Sequence, residues 1–584
     1  MPKLIKDMRR NIEKEVELPY PFKRFSFVEV PVHFASFSRT WTRAQERQQP
    51  EMLFLPERGF GLWQFDFRWH IKWREDRREH NKNHGGRILT NTQIQAEVFQ
   101  HFQGLLLDQN GGVKFDEGRM GRTTITIEES PYYIFPQMYN FKYNIYSSEW
   151  SVANRLIEIR LNRMPWWNNF LQRNVNGLSN EEKCVLLLQE RSFKELLKDT
   201  ELRNLMNNII EVQGRKLFLD AEKALGVSAF RDTLFNYVKA HAFQNLSFET
   251  MLDTMGRLTK SDLRSNLKEW DKPTEVAEFL FGTPTVTKVT TNKKDVFQGD
   301  IVISNISDKP GNVNMKLIFW TRNGDNQTFD GEKKPNEWVI SFGPKETKRI
   351  ITHWEETPNM FACTALFSKN LPMHIATHSG KVETVKTLTP EGEYPLSSDF
   401  LFEKDEIIVD NEDGEQFFEL SVPPPSGMLN EWIKQKSIDE DFKYSGFKEW
   451  NPPMRWTLTT DGGFYGKSIR SAAVIRSGGG EEYAKWKIPI PEHGRYELYY
   501  HVRKPMELNW GGWHNRGRRM YDFIVETGEH KEVNELNMRR ADNGWVLLGT
   551  FEANCDTMYV TLTNKTKLRY ITADAVKLIK RKEE

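Results

Sequence analysis

The chain has 584 residues, room for several domains of roughly 100–200 residues each. Its net charge of +1 argues against a general polyanion-binding role, nucleic acid included. Three widely spaced cysteines, Cys184, Cys363 and Cys555, make neither a disulfide framework nor a metal-type pair.

The opening MPKLIKDMRRNIEKEVELPYPF is charged and lacks the apolar centre of a signal peptide, and no run reaches the ~20 apolar residues of a membrane span. A soluble protein, or a piece of a longer one, is expected. The 18 tryptophans and 38 phenylalanines read as large β-sandwich cores, with exposed sugar-binding platforms as the sharper alternative. FSFVEVPVHF (25–34) and EMLFLPERGF (51–60) are predicted strands, punctuated by Pro31 and Pro56. The run WQFDFRWHIKWREDRREHNKNHGGR holds His70, His80 and His84 without zinc-helix spacing. It reads as a solvated charged face, not as a metal or nucleic-acid site.

TNTQIQAEVFQHFQGLLL (90–107) has helix-compatible spacing. In IIEVQGRKLFLDAEKALGVSAFRDTLFNYVKAHAFQNLSFETMLDTM (209–255) the residues Leu217, Leu225, Phe230, Leu234 and Tyr237 recur at helical intervals. Gly226 is placed to end one helix and Ser247 to cap a third. From 285 the pattern changes to period two, with Asp308-Lys309-Pro310-Gly311 as a turn signal, predicting a small β-sandwich. His374 and His378 fall four apart on a predicted strand, about 13 Å and too far for one zinc. Residues 384–402 read as a linker, 428–436 (MLNEWIKQK) as a short helix, and the remainder as alternating strands with glycine turns.

Two resemblances follow. The 209–255 pattern, with "PYPFKRFSFVEVP" and "QPEMLFLPE" before it, resembles the gluzincin metallopeptidases of the aminopeptidase N type. "YYIFPQMYNF" and "IYSSEWSVANRLIEIRL" are similar to a bacterial group that joins such a domain to an ABC-type permease. The resemblance implies a zinc helix H-E-x-x-H at 97–101, where this chain has Glu97, Val98 and His101. The first ligand becomes Glu97 and the general base becomes Val98, which cannot take a proton. It also implies that Glu211 replaces the intermediate-stabilising tyrosine, and that Gln48 or Gln49 stands at the amine-gripping glutamate. "EIIVDNED", "GFYGKSIRSA" and "ITADAVKL" resemble the golvesin-type domain, a jelly-roll sandwich over about 406–581. Its insertion KPMELNWGGWHNRGRRMYDF offers Trp510, Trp513 and Arg516 as a binding edge, against the plainer reading that the tryptophans cap the sandwich.

The expectation is an α+β multidomain chain. Residues 1–284 are predicted as a thermolysin-like mixed β-edge plus helical domain, 285–383 as the β-sandwich, 384–402 as the linker and 403–584 as the jelly roll. The function predicted first is a non-catalytic, extracytoplasmic (periplasmic) binding or scaffold module: a pseudoenzyme without metal or other cofactor, associated with protein partners or a membrane transport assembly. Its rivals are an active zinc aminopeptidase rearranged around Glu97 and His101, and a carbohydrate-binding accessory led by the last domain.

Overall fold

The computed structural model describes residues 26–31, 48–49, 52–56, 67–84, 88–95, 98, 144–161, 177–242, 244–291, 294–319, 337–378, 382–397, 406–421, 442–505, 508 and 519–581, with scattered residues before 25. The chain divides into two compact units. The first joins 1–174 to 190–274, and the second joins 175–189 to 275–584.

In the first unit β1 (Ser26–Val30), β2 (Gln48–Gln49) and β3 (Met52–Pro56) form a sheet in the order β1-β3-β2, parallel and then antiparallel. The two predicted strands are thus present, each ending at or beside its proline. Helix α1 (Phe67–His84) follows. None of its described side chains is buried, as a polar run on a solvated face requires. Residues 91–95 and 98 are also helical, started by Thr90: its hydroxyl accepts from the Gln93 amide at 3.2 Å, and Gln93 Oε1 accepts from the Thr90 amide at 2.8 Å.

Strand β4 (Asn144–Tyr146) pairs in parallel with β5 (Asn245–Ser247). Between them in the chain lie α2 (Ala153–Leu161), α3 (Asn180–Glu190), α4 (Phe193–Leu196), α5 (Met206–Leu225) and α6 (Val227–Ala240), and beyond them α7 (Phe248–Thr259) and α8 (Leu263–Lys268). Gly226, at φ +85°, ends α5 in a backbone conformation that other residues rarely adopt. The Ser247 hydroxyl accepts from the Thr250 amide and starts α7. Both boundaries fall where the sequence places them.

The buried stripe of this hairpin is Ile209, Val212, Leu217, Phe218, Phe230, Leu234 and Val238, with the Phe218 and Phe230 rings 5.2 Å apart. Leu225, expected in the stripe, is 38 % exposed, because the helix ends one residue later. At Gly214 of α5 an added Cβ would lie 3.1 Å from Leu156 of α2, so the missing side chain permits their close approach. Across this contact Arg160 of α2 pairs with Glu222 of α5; both side chains are almost fully buried. The described residues give a mixed α/β unit, and they do not establish the thermolysin-like arrangement expected of residues 1–284.

The second unit takes in α3 up to Gln189, a helix the sequence reading had assigned to the peptidase-like part. Its buried Glu182 accepts from the Ser179 amide and, over a long sequence distance, from the Met373 amide at 2.8 Å. Gly177, at φ +102°, sits so close to Gly446 that a Cβ would overlap that backbone.

Ten strands build the middle layer pair: β6 (Phe279–Phe281), β7 (Thr285–Thr291), β8 (Lys294–Asn305), β9 (Gly311–Ile318), β10 (Glu337–Phe342), β11 (Thr347–Trp354), β12 (Met360–Leu366), β13 (His374–His378), β14 (Glu383–Thr384) and β15 (Gly392–Leu396). They form a sheet β10-β9-β12-β13 and a sheet β14-β7-β8-β11-β15 with β6 added on β8. Their inner faces alternate as period two demands; Val313, Met315 and Leu317 of β9 are fully buried. Part of the stretch read as a linker is strand, since β15 pairs with β11. His374 and His378 share β13, as expected, and His374 Nδ1 meets the Thr364 hydroxyl at 2.8 Å.

Twelve more strands complete the chain: β16 (Glu406–Val409), β17 (Phe418–Leu420), β18 (Thr457–Thr460), β19 (Ser471–Arg476), β20 (Tyr483–Pro489), β21 (Gly494–Val502), β22 (Met520–Thr527), β23 (His530–Asn537), β24 (Gly544–Ala553), β25 (Thr557–Thr563), β26 (Tyr570–Ala573) and β27 (Val576–Lys580). Their sheets run β16-β27-β21-β24, β17-β20-β25-β22-β23 and β18-β19-β26. The core between them is centred on Trp486, Tyr496, Tyr500, Tyr521 and Phe523, all fully buried. The predicted helix at 428–436 lies outside the described residues.

Candidate functional site

The three stretches that mark the last domain converge on one buried carboxylate. Asp574 occupies the short step between β26 and β27, where the chain passes from one sheet to another, and it is 1 % exposed. The Tyr465 amide, in the turn before β19, donates to both of its oxygens at 3.2 Å. His501, near the end of β21, brings Nδ1 to within 2.8 Å of Asp574 Oδ2. Asp410, just past β16, is close enough that Asp574 affects its ionisation.

Burial, and then the charge of Asp574, push Asp410 up to about 9. Burial also raises Asp574, but His501, the Tyr465 amide and Arg503 pull in the other direction. At Asp410 only the Asn411 amide pulls against burial, and Asp410 keeps its proton at neutral pH. The contact with Asp574 engages His501 through Nδ1 and turns Nε2 away from the carboxylate. No hydrogen-bond partner among the described residues meets that Nε2. Burial raises the Tyr465 phenol to about 12, so it stays a donor.

Strand alternation brings aromatic rings over this buried charge. Tyr496, Leu498, Tyr500 and Val502 of β21 point into the core, which sends Glu497, Tyr499 and His501 to the outer face. Trp545 of β24 sits opposite His501 in register, their rings 5.1 Å apart at 75°. The Tyr465 ring is 5.0 Å from Trp545 and 5.8 Å from His501. All three are half-buried. Lys577 of β27 lays its ammonium 5.0 Å from the Trp545 ring and is held by Glu406 at 2.6 Å. Two apolar planes, a hydroxyl and an oriented imidazole make a surface for a ring that is apolar on its faces and polar at its edge.

The residues singled out from sequence fall elsewhere. Trp510, Trp513 and Arg516 lie outside the described residues. Glu97 and His101 also lie outside them. Val98 is buried at 2 % exposure, Gln48 is in β2 opposite Leu53, and Glu211 faces Arg215 one turn along α5 at 3.4 Å. Among the described residues no group of three or more His, Cys, Asp or Glu side chains is arranged to hold a metal ion. The sequence motifs contain Tyr465 and Asp574 but do not disclose their roles, and neither His501 nor Trp545 belongs to a motif. The available signal was the alternation of GRYELYYHV, whose outward positions turn from Arg495 and Glu497 to Tyr499 and His501 toward the strand's end.

The family model of the golvesin C-terminal domain matches residues 448–580, so that domain is present. No curated protein matches the chain. Among solved structures, a Paenibacillus xanthan lyase is 16% identical over 51% of this chain and 25% of its own, with a TM-score of 0.21. A Podospora anserina GH26-CBM35 beta-(1,4)-mannanase is 16% identical over 22% of this chain and 25% of its own, at 0.16. A Paenibacillus sp. cycloisomaltooligosaccharide glucanotransferase is 8% identical over 52% of this chain and 72% of its own, at 0.14. The chain spans a quarter of the length of the first two, and all three scores lie below the level at which a shared fold follows. These matches give the peptidase resemblance no support. Among the described residues no helix is long and apolar enough to cross a membrane.

Proposed function

We propose that the golvesin-type domain binds carbohydrate and that the chain serves as a binding or accessory protein. The observation that carries this reading is the cluster of Trp545, Tyr465 and His501 on the outer face of a β-sandwich, with His501 oriented by buried Asp574. A pyranose presents C–H groups on its faces and hydroxyls around its rim, and the cluster supplies a partner for each.

The test is binding of the full chain to a panel of soluble polysaccharides, by affinity electrophoresis followed by calorimetry. Trp545→Ala is expected to weaken the best ligand about tenfold or more, the scale of one stacked aromatic lost. Circular dichroism checks that the variant is folded. Wild-type affinity in a folded Trp545→Ala protein overturns the assignment of this face.

For the first unit we infer a non-catalytic role, on the extracytoplasmic side, for a scaffold of peptidase-like descent. Two observations favour it: an apolar, buried Val98 where that family places its general base, and a Glu211 engaged with Arg215 where it places a tyrosine. Purified protein is expected to hold no stoichiometric zinc and to leave amino-acid anilides uncleaved. Chelator-sensitive cleavage overturns this part.

A further inference from the structure

Resting on the carbohydrate-binding reading of the Trp545 face, we infer that its ligand is a neutral glycan and not a uronic-acid or sulfated one. Three cations near the rings are already committed to carboxylates. Lys577, the ammonium against Trp545, is bonded to Glu406 at 2.6 Å, and both side chains are largely buried. Arg503, two residues past His501, donates to Asp461 at 2.9 Å and lies 3.7 Å from Glu449. Arg581 donates to Glu497 at 2.7 Å, beside Tyr499. Each of these cations thus has a carboxylate partner in place.

An anionic sugar would have to displace one of those carboxylates, leaving a half-buried glutamate or aspartate without its counter-charge, a costly exchange. A neutral sugar avoids that cost. Its C–H faces are weakly electropositive and suit the negative face of an indole, and its hydroxyls, which both donate and accept, can bond to His501 Nε2 and the Tyr465 phenol. Recognition by stacking and neutral hydrogen bonds also predicts little response to salt, because no counterion is released when the ligand binds.

The experiment compares the full wild-type chain against neutral polymers (a β-glucan, a mannan, a xylan) and charged ones (polygalacturonate, alginate, a sulfated galactan), each at about 0.05 and 0.5 M salt, a range that screens exposed charge pairs strongly. The expected result is binding to at least one neutral polymer, less than about a twofold change in affinity across that range, and no retardation by the charged ones. Binding confined to charged polymers, or affinity falling tenfold or more with salt, overturns the neutral-ligand inference while leaving carbohydrate binding intact. Binding to none of them overturns the carbohydrate reading itself. Trp545→Phe, which keeps a ring and the fold, is expected to retain the neutral preference at lower affinity; a switch to charged polymers in that variant would count against the assignment.

Discussion

The helical hairpin at 206–259 and the last β-sandwich both carry strong sequence patterns, yet the patterns do different things. In the hairpin nearly every patterned residue is used in packing. Gly214 brings α5 onto α2, Gly226 ends a helix, Ser247 starts another, and the apolar stripe closes the interface. Its buried charges, Arg160 and Glu222, form an ion pair. In the sandwich the motif residues come from three stretches far apart in the chain and meet at Asp574, where one ring nitrogen is directed and aromatic rings gather above. Periodicity within one element reports how that element packs; separate motifs that meet at one buried carboxylate report a site.

That contrast is most exposed to failure at the buried ion pair. Removing one member leaves an uncompensated charge in an apolar interior, so Glu222→Ala is expected to destabilise the helical unit by about 3–5 kcal/mol. Urea unfolding followed by the helical circular-dichroism signal measures it. The double variant Arg160→Met/Glu222→Leu is expected to recover most of the loss, because an apolar pair of similar volume fits the same interface. A double variant as unstable as the single one would mean that the pair has a role beyond mutual neutralisation.

Next in size is the pH response of the sandwich. In the unfolded chain Asp410 ionises near the ordinary carboxylate value of about 4, whereas in the folded domain it holds its proton up to about 9. The folded state binds the extra proton, so stability falls as pH rises across this window; it is fully present below the unfolded value and the loss levels off above the folded one. Asp410→Asn keeps the shape and cannot ionise. Wild type minus variant stability, from urea titrations between pH 4 and 9, is expected to decline steadily, with the variant the more stable at pH 8–9. A difference independent of pH would show that Asp410 is not the group retaining the proton.

How much of this was legible beforehand divides along the same line. Local grammar was readable: the strands near 26–30 and 52–56, the Gly226 and Ser247 boundaries, and the change to period two. The sequence also suggested the golvesin resemblance, because its motifs are short and distinctive. Leu225 was misplaced because periodicity does not register that a helix has one residue left. The strand Gly392–Leu396 was missed because its hydrogen-bond partners on β11 lie more than forty residues away, and only pairing makes such a short polar run a strand. His501 and Trp545 escaped for a related reason: their significance depends on cross-strand register and on a carboxylate some seventy residues beyond His501. The tryptophans that drew attention instead, Trp510 and Trp513, stood out by composition alone.

The finest test of the hairpin is its cap. The Ser247 hydroxyl accepts from the Thr250 amide at 3.4 Å and donates to Glu249 at 3.0 Å, at the point where β5 turns into α7. Replacing it by alanine leaves one first-turn amide without its partner, at a cost of about 1 kcal/mol. Ser247→Thr retains the hydroxyl and is expected to restore most of that, since threonine caps nearly as well. If the patterned residues of this unit serve packing only, Ser247→Ala lowers the unfolding midpoint of the helical signal and leaves polysaccharide binding by the same protein unchanged. A loss of binding that accompanies so small a change in stability would mean that the helical unit takes part in recognition, and the division between a packing pattern and a site would have to be redrawn.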